Sequence, residues 1–149
     1  MLKNLLFGIP IMGVCLMLQA LLVVAAIRYY AFRQSLLSKG TFWVSLRITG
    51  GVMLLLICAS MAQIALWAFF FRLLGEFDCF HTAFYHSAVN FSTLGYGDMV
   101  MSEARRLLGP MEAINGVLMI GVSTAVLMAV FTDIIKKTGL IQKMKNQAE

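Results

Sequence analysis

Six residues near the middle of the chain, Thr93-Leu94-Gly95-Tyr96-Gly97-Asp98, place two glycines two positions apart, with a hydroxyl before them and an acid after. Extended chain turns successive carbonyls to opposite sides. Turning them all to one side requires positive φ at alternate residues, which glycine reaches without a steric penalty. Five such residues span ~16 Å at ~3.3 Å each. Several copies round one axis would stack rings of carbonyl oxygens, and such rings can replace the hydration shell of a monovalent cation. The Thr93 hydroxyl would add a ring at the inner end. Tyr96 would point away from the axis and wedge the ribbon against its support. Gly-x-Gly pairs are also common in turns, so this one acquires meaning only from the elements that hold it.

Those elements are apolar. The 149 residues are 60% hydrophobic and only 13% charged, where soluble domains average roughly 25%. The segments 4–27, 48–71 and 113–132 carry no charge at all. Each reaches the roughly 20 residues that a bilayer-crossing helix needs. A soluble bundle is excluded because hardly any polar face is left over. The first segment is longer than the apolar core of a cleavable leader, and Val23-Val24-Ala25-Ala26-Ile27-Arg28 is a weak cleavage site. A retained helix is expected.

The net charge of +5 is explained by its location. Arg28, Arg33, Lys39 and Arg47 crowd the first connection, and Lys136, Lys137, Lys143 and Lys145 the C-terminus. Positive residues mark the cytoplasmic side. Three spans then place the N-terminus outside and the C-terminus inside a multi-pass plasma-membrane protein. The basic ends either contact anionic lipid or set topology alone. Three cysteines are too few for a disulfide framework. Cys15 and Cys58 read as inert packing, while Cys79 falls near a water interface, where an inter-subunit disulfide is open. No paired Cys/His spacing suggests a metal cluster. Phosphate-binding loops, catalytic triads and acid pairs are absent, so neither an enzyme, nor a nucleic-acid binder, nor a cofactor is expected.

Between the second and third apolar segments, residues 79–97 carry no formal acid or base but contain His, Asn, Ser and Thr. Both flanks lie outside, so this stretch cannot span. Residues 80–92 fit a helix of about 13 residues, or ~20 Å, which reaches only part-way across. Asp78 is placed to cap its start or complement its dipole. Its negative C-terminal end would favour a cation in front of it. Non-helical backbone at membrane depth is tolerated only where protein buries it or water lines it. A short helix returning as extended chain therefore implies an aqueous path.

From residue 48 to about 137 the chain resembles the potassium channel pore family, whose signature is Thr-Val-Gly-Tyr-Gly. Ser92-Thr93-Leu94-Gly95-Tyr96-Gly97-Asp98 departs from it at Leu94, where valine is usual and where a longer side chain must pack behind the filter. The resemblance implies two spanning helices with a re-entrant pore helix and a selectivity filter between them, assembling as a homotetramer; with the first apolar segment the expected fold is an all-α membrane protein with three transmembrane helices. It divides the chain into an N-terminal helix and cytoplasmic loop (1–47), a pore domain (48–137) and a short cytoplasmic tail (138–149). Within the pore domain it implies an outer helix over 48–72, a pore helix over 79–92, a filter over 93–98 and an inner helix over 104–137. Potassium ligands would come from the backbones of Thr93, Leu94, Gly95 and Tyr96 and from the Thr93 hydroxyl. Gly97 permits the turn to the outer mouth. Potassium would be the permeant ion and there would be no cofactor.

The same resemblance implies filter support from Asp98 at the mouth, held by a hydrogen bond from Tyr85. His86 stands where tryptophan is frequent: either a titrating imidazole that senses pH or a neutral packing residue. Val89 stands where some bacterial relatives carry a glutamate, so their inactivation behaviour does not transfer. Asn90 either bonds the filter backbone or packs. Ser102 would cap the last helix. Glu112, an acid at membrane depth, is a functional candidate or a partner for Arg105 or Arg106. Gly121 is the expected gating hinge; Gly116 is a second hinge candidate that also suits close packing against the short helix. Ala125 and Ala129 would line the cavity.

No span carries arginine at every third position, so no voltage sensor is expected. The first helix is additional to the family's two-span minimum, with Gly8, Pro10, Gly13 and Gln19 shaping its contacts or a kink. The following loop would carry a short interfacial helix with Phe42 and Trp43 at the headgroups, where it could dock a partner protein or lie on the lipid. Two other functions stay open: a non-selective cation channel of the same fold, and a non-conducting subunit of another channel. A potassium transporter subunit fits less well, because such proteins join several pore units in one chain.

Overall fold

The computed structural model describes residues 2–33, 42–137 and 139. They form four helices: α1 (Leu2–Arg33), α2 (Phe42–Leu73), α3 (Phe80–Phe91) and α4 (Leu108–Lys137). The described residues contain no strand, so the fold is all-helical. α1, α2 and α4 are each long and apolar enough to cross a membrane. At 1.5 Å per residue they measure about 45–48 Å, well beyond the hydrocarbon thickness.

The uncharged windows locate the apolar stretches but not the helix ends. α2 begins at Phe42 rather than near residue 48, taking Arg47 into the helix. A charge ends an apolar window without ending the backbone hydrogen bonding. Phe42 and Trp43 therefore open α2 instead of forming a separate interfacial helix; the loop 34–41 lies outside the described residues, as does nearly all of the tail. α4 begins at Leu108, not at 104. The amides of Arg105 and Arg106 both turn back to the Ser102 carbonyl at 2.9 Å, and Leu108 N–H reaches Arg105 O at 2.9 Å. These tight turns interrupt the helical register. Pro110 then sits in the first turn of α4, where a missing N–H costs nothing. α1 continues without a break through Pro10.

The chain divides into two compact units, residues 1–20 with 58–121, and residues 21–57 with 122–149. In the first, Cys15, Trp67, Phe71, Met101, Leu108 and Met111 form a buried apolar cluster, and Ile64, Phe91 and Met119 form another. Gly8 admits a close approach of α1 to α4: a Cβ there would lie 2.4 Å from Met111 Cε. Polar pairs supplement this packing. Asn4 Nδ2 donates to Ala104 O at 2.8 Å, and Gln63 Nε2 donates to Gln19 Oε1 at 2.7 Å. In the second unit Ala26, Tyr30, Ile48, Val52, Leu56, Val130 and Ile134 form the core, and Tyr30 Oη donates to Asp133 Oδ2 at 2.5 Å. Cys58 is exposed on α2, not packed as expected.

Candidate functional site

α3 is amphipathic and short, 12 residues long. Its buried face carries Ala83, His86, Ser87, Val89 and Phe91. Cys79 is its N-cap residue, with no side-chain cap hydrogen bond, so Asp78 does not cap it. The exposed Cys79 thiol is held below its ordinary pKa, first by the backbone amides of His81 and Thr82. At the other end the chain folds over the helix's last carbonyls. Ser92 N–H reaches Ala88 O at 3.1 Å and Thr93 N–H reaches Asn90 O at 2.9 Å. Leu94 and Gly95 N–H both converge on Val89 O, at 2.9 and 3.3 Å. The amides at the start of the 93–98 segment thus serve the C-terminus of α3.

The backbone of that segment alternates. Thr93, Gly95 and Gly97 have φ of +61°, +60° and +72°. Leu94 and Tyr96 between them do not take positive φ. Thr93 is the one non-glycine residue with positive φ among the described residues. The glycine spacing anticipates two of the three positions; nothing in the threonine announces the third.

The side chains of the segment are uncovered in a single chain. Leu94 is 55% exposed and Tyr96 66%, so neither the packing of Leu94 behind the segment nor the wedge of Tyr96 against α3 is made within one chain. Beyond the adjoining residues, no atom lies within 4 Å of where a Cβ at Gly95 or Gly97 would stand.

Support comes from α3. Tyr85 Oη donates to Asp98 Oδ2 at 2.8 Å, the contact anticipated above. This bond, acting on the phenol before burial does, raises the Tyr85 pKa. Asp98 Oδ1 also accepts Met99 N–H at 3.1 Å. His86 is buried between the rings of Phe71 and Phe77, at 5.7 and 4.9 Å. Its Nδ1 faces Met99 O at 3.0 Å and its Nε2 faces Asn90 Nδ2 at 2.8 Å. A carbonyl only accepts and an amide nitrogen only donates, so the partners assign a neutral ring with its proton on Nδ1. Burial likewise pushes the His86 pKa down. The Asn90 side chain meets His86 rather than the backbone of the 93–98 segment. Val89 is buried, offering an apolar wall where an acid could have stood.

A second brace was not legible from the sequence. The Glu76 carboxylate accepts Ser102 N–H at 2.7 Å, Ser102 Oγ–H at 2.8 Å and Arg105 Nη1–H at 3.0 Å. Arg105 also donates to Leu74 O. Burial alone would raise the Glu76 pKa, but the Ser102 donors and Arg105 outweigh it and hold it low. Ser102 therefore does not cap α4, and Arg105 pairs with Glu76, not with Glu112. Glu112 is instead fully buried, against Ser87 of α3.

On α4, Gly116 is pressed against α3: a Cβ there would meet Phe91 O at 2.0 Å. Gly121 has open space. It lies with Ala125 and Ala129 on an exposed stripe of the helix. All three cysteines are free, and no group of metal-ligating side chains occurs among the described residues.

A family model described as an ion channel matches residues 57–133, from the middle of α2 to near the end of α4. No curated protein and no solved structure matches the chain.

Proposed function

The chain belongs to the ion channel family, and on that premise we propose that it is a potassium-selective channel formed by four copies round one axis. The observation that carries this reading is the alternation of positive φ at Thr93, Gly95 and Gly97. With the amides of Leu94 and Gly95 committed to α3, the carbonyl oxygens of Thr93, Leu94, Gly95 and Tyr96 are left for potassium, joined by the Thr93 hydroxyl. Oxygen rings of this kind replace the ion's water at little net cost.

Asp98, tied to Tyr85, holds the outer mouth. The open stripe of Gly121, Ala125 and Ala129 lines the inner cavity, and Gly121 lets the inner helix bend. Three apolar helices make this a multi-pass membrane protein; in the proposed orientation the N-terminus is outside, the C-terminus is in the cytoplasm, and α3 enters from outside.

The test is the reversal potential of the purified protein in lipid bilayers, with potassium on one side and sodium on the other. Reversal near the potassium equilibrium value, with block by barium, is expected. Robust current reversing near zero would make it a non-selective cation channel. A tetramer that carries no current alone, but restores current to a partner channel, would make it a subunit.

A further inference from the structure

Glu112 lies in the second turn of α4, fully buried, at the depth of a membrane-crossing helix. The one ion pair among the described residues is Arg105 with Glu76, so no cation answers Glu112. Leaving a buried carboxylate without a counter-charge costs several kcal/mol.

Its hydrogen bonding says how that cost is avoided. Ser87 Oγ contacts both Ile64 O, at 2.9 Å, and Glu112 Oε1. A serine hydroxyl has one proton to give, and a backbone carbonyl has none. Ser87 can donate to only one of the two, and with no cation to hold a carboxylate at this depth we place its proton toward Ile64 O. The proton in the Ser87–Glu112 contact then comes from the acid. The three partners stand on α2, α3 and α4, so a single proton on Glu112 completes a junction of three helices. The junction continues outward. Asn90, one turn beyond His86 on α3, lies against the first turn of α4: a Cβ at Gly109 would sit 3.3 Å from its Nδ2. Asn90 holds His86, and His86 holds Met99 O, just past the filter segment.

We propose that Glu112 is a positioning residue of the ion pathway, a neutral carboxylic acid that donates to Ser87 and locks the short helix to its two neighbours. It never meets the ion. It sets where the C-terminus of α3 stands, and through it the amides that Val89 O gathers. The role in selectivity rests on the potassium-channel reading; the protonation does not.

Infrared difference spectra of the purified protein in lipid, against the Glu112→Gln variant at neutral pH, test the proton directly. The carbonyl stretch of a protonated carboxylic acid is expected in the unaltered protein and absent from the variant. Only carboxylate bands would overturn the proposal, whether or not the protein conducts.

Positioning is tested by two substitutions of similar volume. Glu112→Gln keeps a donor for Ser87 and is expected to hold the potassium-to-sodium permeability ratio within about twofold. Glu112→Met fills the space without a donor, and the ratio is expected to fall about tenfold, the equivalent of one hydrogen bond. Equal ratios in the two variants would show Glu112 to be packing only and overturn its positioning role. Ser87→Ala removes the acceptor from the other side and should match Glu112→Met; an unaltered ratio there would also overturn it. If the unaltered protein itself fails to select potassium, the proposed function falls while the infrared test stands.

Discussion

Thr93, Gly95 and Gly97 show how much one dihedral angle can carry. In the left-handed region a side chain's Cβ crowds the following carbonyl, at about 1–2 kcal/mol per residue. Gly95 lies there at φ +60°. Gly95→Ala has room for its methyl in the single chain, so its effect is strain and not collision. The variant is expected to fold and insert, and to lose potassium selectivity; reversal potentials check this, and an unchanged value would break the link between the alternating backbone and selection. Thr93 bears the same angle with a β-branched side chain. The amide hydrogen bond to Asn90 O and the turn at the end of α3 hold it there.

His86 carries the prediction about pH. Its folded pKa lies below the ordinary imidazole value because burial disfavours the cation. As pH falls below about 6.5 the unfolded chain takes up a proton that the folded chain refuses, so stability falls with falling pH. The slope is at most about 1.4 kcal/mol per pH unit in each chain. Melting temperatures from pH 8 to 5 should decline, and Glu or Asp titration shared by both proteins should be all that remains in His86→Gln. Identical pH profiles in the two would contradict the neutral, buried ring. Current is expected to stay flat across the ordinary histidine range, because the ring's partners require the neutral form.

At the scale of elements, the long helices were legible because apolar length is a property of composition, and α3 because its polar residues and its flanks forbade a span. Their ends were not legible. Whether α4 starts at 104 or 108 depends on where two arginine amides turn back, and no periodicity encodes that. The Tyr85–Asp98 contact was legible through a motif. The Glu76–Ser102–Arg105 brace and the Ser87–Glu112 contact join residues 26 and 25 positions apart or more, and each partner alone resembles an ordinary surface or helix residue.

Gly116 and Gly121 of α4 separate at this scale as well. Gly116→Ala drives a methyl into the backbone of Phe91, where rigid main chain must move. Overpacking of this kind costs about 1–3 kcal/mol. Gly121→Ala meets nothing. Thermal unfolding is expected to drop for the first and stay put for the second, whose effect should appear in open probability. A Gly121→Ala protein with unaltered gating would remove the hinge assignment.

For the whole molecule, orientation can be read from one thiol. Cys79 is exposed, with a lowered pKa that favours the reactive thiolate. Cys15 is buried, and Cys58, though exposed, lies within a membrane-crossing helix. A membrane-impermeant thiol reagent applied outside intact cells should label the chain once, at Cys79, and Cys79→Ser should abolish the labelling. Labelling only from the cytoplasmic side would invert the proposed topology.

The uncovered state of Leu94, Gly95, Tyr96 and Gly97 has a consequence for mixed expression. On the proposed tetramer, a chain that folds correctly but carries a spoiled filter still takes its place among normal ones. Equal expression of spoiled and normal chains leaves about one assembly in sixteen with four intact copies. On that assembly a chain with a lesion at 93–98, co-expressed with normal chains, is expected to silence most of the current, whereas a lesion that prevents folding removes only its own product.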